Sequence, residues 1–79
     1  MHSIQDNVEL ADLQKAGIGF ISNLRNDGMK LHCADCHAVS AVISVAFPKY
    51  YFETYAEAVQ WLDKTCVWCR CGTCSPTND

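Results

Sequence analysis

Three Cys-x-x-Cys pairs in a chain of 79 residues constrain the fold more than any other feature of the sequence. They are Cys33/Cys36, Cys66/Cys69 and Cys71/Cys74. A chain of this length makes one domain and buries only about 60–65% of the surface that its unfolded form exposes, so its core is marginal. Scaffolds of this size usually need a staple: disulfides, a metal or a partner subunit. The redox compartment decides which. The chain opens Met-His-Ser-Ile-Gln-Asp-Asn, without the basic n-region and continuous apolar stretch of a secretory signal. The longest apolar run, residues 41–47, contains Ser44 and falls well short of the roughly 18 residues of a membrane span. The expected location is therefore cytoplasmic, where paired cysteines hold metal more often than they form disulfides.

The spacing suits that chemistry. Two intervening residues let both sulfurs of a tight loop reach one ion about 2.3 Å away. The candidate ligands are Cys33, Cys36, Cys66, Cys69, Cys71 and Cys74, with His32 and His37 as additional donors beside the first pair. One zinc is expected, completed by one of the two tail pairs, Cys66/Cys69 or Cys71/Cys74. Six cysteines and two histidines would also fill two four-coordinate sites. A single structural zinc contributes about 10–16 kcal/mol of apparent folding free energy, which would dominate so small a core. In Cys33, Cys36 and the tail cysteines the chain resembles zinc-ribbon-type domains, over about half its length. That resemblance implies a structural metal held between two loops. The chain departs from the ribbon pattern in its second half, which contains a helix and two cysteine pairs.

The elements between the cysteines predict a small α+β domain over residues 1–79: an N-terminal helix, a β-hairpin carrying the Cys-x-x-Cys loop, a second helix and a C-terminal cysteine-rich knuckle. Asp6-x-x-Glu9 reads as a capping box. Leu10, Leu13, Phe20, Ile21 and Leu24 recur with helical spacing up to a stop at Gly28. Gly17 and Gly19 weaken this helix by about 2 kcal/mol and mark a break or a close approach. Residues 38–47 alternate with the period of a strand, and residues 50–54 read as a second, aromatic strand. Thr54-x-x-Glu57 opens a helix over about 55–64. Residues 1–5 and 75–79 are expected to fray.

Other chemistry fits less well. Cys33-Ala-Asp-Cys36-His37 matches a c-type haem attachment pattern but would need export. Cys71-Gly-Thr-Cys74 has dithiol redox spacing without a following helix. The Cys69-x-Cys71 step does not fit common ferredoxin spacing. Four cysteine ligands close a zinc site to water, and no catalytic set stands out, so an enzyme is not expected. A net charge of −3 disfavours nucleic acid as partner, since binding to it rests on clustered cations, while Lys30, Lys64 and Arg70 near the cysteine pairs keep a zinc-ribbon-like nucleic-acid-binding module as the alternative. A protein partner is expected instead, with Tyr50, Tyr51 and Trp68 as candidate contacts, because aromatics of this kind anchor interfaces. Size and charge suit an interaction or regulatory module, such as a phage or bacterial regulator of host machinery.

Overall fold

In the computed structural model, which describes residues 1–25, 28–36 and 48–72, the first helix is shorter than its apolar stripe suggests. Helix α1 spans Asn7–Ala16, with strand β1, His2–Ser3, ahead of it. Asp6 caps α1 by accepting from the Glu9 N–H at 2.7 Å. The Glu9 carboxylate reaches back to the Gln5 N–H at 2.8 Å, one residue beyond the cap. The helix ends where Gly17 adopts φ 69° and returns its N–H to Leu13, the left-handed stop that glycine takes without steric cost.

The expected helix to Gly28 is therefore corrected. Beyond Gly17 the chain becomes strand β2, Phe20–Arg25, followed by β3, Gly28–Cys33. Strand β4 spans Lys49–Phe52, helix α2 spans Tyr55–Thr65, and strand β5 spans Trp68–Arg70. The fold is α+β, with helix, strands and second helix in the expected order. The described strands form one mixed sheet in the order β1-β4-β2-β3-β5. Neighbours run antiparallel except β3 and β5, which are parallel. Residues 1–5, expected to fray, include β1, which pairs His2 with Tyr51 and Ser3 with Tyr50. The expected strand at residues 38–47 and the frayed end at 75–79 lie outside the described residues.

The sheet has a helix on each face. Leu10 of α1 packs with Ile4, Ile21, Ala34, Cys36 and Cys71. Ala58 and Leu62 of α2 pack on the other face with Met29, Leu31 and Phe52. Strand alternation sorts the residues between these layers. In β2, Phe20 and Leu24 turn to α2 and Ile21 to the α1 side. In β4, Tyr50 and Phe52 face α2, where both rings meet Trp61, while Tyr51 faces the other way.

Candidate metal centre

The site grows from the end of β3. Met29 and Leu31 belong to the α2 layer, so by alternation His32 lies on the α1 side. It is paired there with Ile21 of β2. The chain then turns sharply. Ala34 N–H bonds the Gly19 carbonyl at 3.0 Å, and Cys36 N–H bonds the Cys33 carbonyl at 3.0 Å. This turn carries Cys36 back over the face that His32 occupies.

The third residue comes from the neighbouring strand. Trp68 lies beside Met29 and Arg70 beside Leu31 in the parallel ladder. Alternation then puts Cys69 and Cys71 on the opposite face from Trp68 and Arg70. The Cys71 N–H bonds the Leu31 carbonyl at 2.8 Å, which fixes Cys71 alongside His32.

One donor atom from each of His32, Cys36 and Cys71 lies within 4.8 Å of the other two. The two Sγ atoms are 4.0 Å apart, close to the roughly 3.8 Å that two 2.3 Å bonds at a tetrahedral angle would span. Relative exposures are 2% for His32, 4% for Cys36 and 3% for Cys71. Two sulfurs and an imidazole nitrogen, converging in the interior, are a donor set that can hold a metal ion. Their burial suits a structural centre better than a hydrolytic one, which keeps a position open to water.

Of the expected ligands, Cys36, Cys71 and the additional donor His32 come together. Cys33 is half-buried and packs against the same cluster, but the group does not extend to it. Cys66 caps α2, with its N–H on the Leu62 carbonyl, and packs into the α2 layer. Burial pushes its thiol pKa up. Cys69 is exposed. Thus the Cys66/Cys69 pair is not the one brought to the site; Cys71 is. His37 and Cys74 lie outside the described residues.

The aromatic candidates are already engaged within the chain. Tyr50 packs at a tilt against Trp61, ring centroids 5.0 Å apart, and the Tyr51 hydroxyl donates to the Ile18 carbonyl at 2.8 Å. Trp68 donates from its indole to Asp63 at 2.7 Å. Arg70, which sequence reasoning did not single out as an aromatic partner, lies 5.1 Å from the Trp68 ring and 5.5 Å from the Tyr55 ring. Its Nε donates to the Tyr55 hydroxyl at 2.7 Å. No helix among the described residues is long and apolar enough to cross a membrane. No protein-family model, curated protein or solved structure matches this chain.

Proposed function

We propose that this chain is a zinc-stapled interaction module in which His32, Cys36 and Cys71 hold one structural zinc. The convergence of those three buried donors within 4.8 Å carries the reading. Zinc is favoured over other ions because mixed thiolate and imidazole ligation in a tetrahedral setting is its usual structural environment. The spacing Cys71-x-x-Cys74 supports Cys74 as the fourth ligand, through the second sulfur of a knuckle. Reduced thiols with this role fit a cytoplasmic protein.

The module's work is binding a protein rather than catalysis. Buried thiolate-rich zinc supplies no open position for a substrate. Zinc held by the thiolates of Cys36, Cys71 and Cys74 with a neutral imidazole carries a net −1, which adds to a chain charge that is already −3. The Arg70 guanidinium is occupied by Tyr55 and the Trp68 ring, which weighs against it as a phosphate contact.

Native mass spectrometry with elemental analysis, on protein purified without added metal, tests the metal. One zinc per chain is expected, lost in Cys36→Ser and in Cys71→Ser. A folded chain with six free thiols and no bound ion would sink the proposal. Salt-tolerant capture of a single protein supports the interaction role, whereas strongly salt-dependent binding to nucleic acid contradicts it.

A further inference from the structure

Strand β5 is the last strand of the described sheet on its side. The hydrogen bonds to β3 fix which of its backbone groups are used. Met29 N–H donates to the Val67 carbonyl at 3.0 Å, and Cys71 N–H donates to the Leu31 carbonyl at 2.8 Å. In a parallel ladder of this register the backbone of Cys69 also faces β3. The N–H and C=O groups of Trp68 and Arg70 therefore point away from the sheet.

Exposed edges are usually blunted by charged side chains or proline. Here the only charged side chain on β5 is Arg70, and it folds back onto the Tyr55 hydroxyl and the Trp68 ring. Among the described residues it leaves the backbone edge unguarded.

We propose that β5 pairs antiparallel with β5 of a second copy, about a two-fold axis through Cys69. This register is selected by chemistry. Centring on Cys69 sets Trp68 opposite Arg70 of the second copy, and the two exchange both backbone bonds. All the outward N–H and C=O groups of both strands are then satisfied. Trp68 and Arg70 already show their affinity within one chain, and the same cation–ring pairing is available across the axis. Centring on Arg70 instead would oppose two like charges. Centring on Trp68 would leave Arg70 without a partner.

The strand is only Trp68–Arg70, so the interface is small and the dimer weak and reversible. The pairing itself uses none of the proposed metal donors.

The register supplies its own probe. The two Cys69 residues occupy a non-hydrogen-bonded pair, with Cα atoms about 4.5 Å apart, within the range that a disulfide spans. The full, metal-loaded chain is treated with oxidised glutathione, and the products are mapped by peptide mass spectrometry. Two Cys69 thiols lose two protons and two electrons to one oxidised glutathione, which leaves as two reduced molecules. A covalent dimer linked Cys69 to Cys69 is expected, and Cys69→Ser removes it.

Of the backbone groups, Arg70→Pro deletes only the outward N–H of each copy, which an edge strand tolerates; the lost guanidinium contacts to Tyr55 and Trp68 are shared with the alanine variant. It should lower the crosslink about 30-fold, through loss of two backbone hydrogen bonds per dimer. Arg70→Ala, which keeps the N–H, should retain most of it. Linkage through another cysteine, or undiminished crosslinking in a folded Arg70→Pro, overturns the proposal. Should that variant fail to fold, sedimentation of the unoxidised wild-type chain decides: a monomer throughout the dilution series overturns it. Zinc content read on the same samples separates the outcomes, since a zinc-bound monomer leaves the metal reading intact.

Discussion

Gly19 sits at φ 94°, and a Cβ placed there would lie 2.5 Å from the Tyr51 hydroxyl and 2.6 Å from the Phe52 carbonyl. The sharp step from α1 into β2 thus depends on a residue with no side chain. Gly19→Ala should destabilise the fold by about 3 kcal/mol, read from urea melts. Ser22 is the opposite case. Its side chain is fully buried and its Oγ finds no hydrogen-bond partner among the described residues. Ser22→Ala should stabilise by about 1 kcal/mol, because removing an unsatisfied hydroxyl sacrifices no bond. A lower melting temperature in that variant would show that the hydroxyl is satisfied in solution. At the proposed metal centre, Cys71→Ser should abolish zinc binding while Cys69→Ser leaves it unchanged. Cys36 and Cys71 were legible as candidate donors, but their grouping with His32 was not. Spacing treats Cys69 as the partner of Cys66, whereas a strand of alternating side chains puts Cys69 and Cys71 on one face and leaves Cys66 in the other layer. His32 was recoverable from the pattern of 29–32, where apolar Met29 and Leu31 alternate with Lys30 and His32.

Both helices were readable because their starts are written in side chains that bond locally. Asp6 and Thr54 accept from Glu9 and Glu57 as the capping boxes predict. Each glutamate carboxylate then accepts from the residue before the cap, Gln5 and Glu53 respectively. The Gln5 N–H, followed by the His2 ring, holds the Glu9 carboxyl pKa below its ordinary value. Between the folded and unfolded values the unfolded chain binds more protons, so this stabilisation is present above the ordinary carboxylate range. It is lost as pH falls through the folded value. Glu9→Gln should therefore flatten the acid side of a stability-against-pH curve; an unchanged slope would remove Glu9 from the acid response. Strand β2 was not readable. Phe20, Ile21 and Leu24 satisfy a helical stripe as well as a strand, and local periodicity cannot separate the two over so short a run. The decision comes from Gly17 ending α1 and from pairing on both sides of β2 with β3 and β4. Those partners are visible only in three dimensions.

At the scale of the whole molecule, the cluster of His32, Cys36 and Cys71 ties the edge of the described sheet to its interior. His32 and Cys36 belong to β3 and its turn, while Cys71 follows β5 directly. Removing the proposed zinc with a chelator should release β5 before the antiparallel core. Hydrogen exchange would report this as early loss of protection at the Cys71 amide, which bonds Leu31, with β2 amides exchanging last. Uniform loss across all strands would instead indicate that the metal governs folding as a single unit.

The parallel pairing of β3 with β5 also dictates an order of events. Lys30 and Cys69 are register partners far apart in sequence, whereas the β2–β3 hairpin closes across two residues. Chain entropy favours the short closure first and delays the long one. The proposed centre would therefore assemble only once the described sheet is complete, which would make metal uptake a checkpoint on completion rather than a seed for the fold.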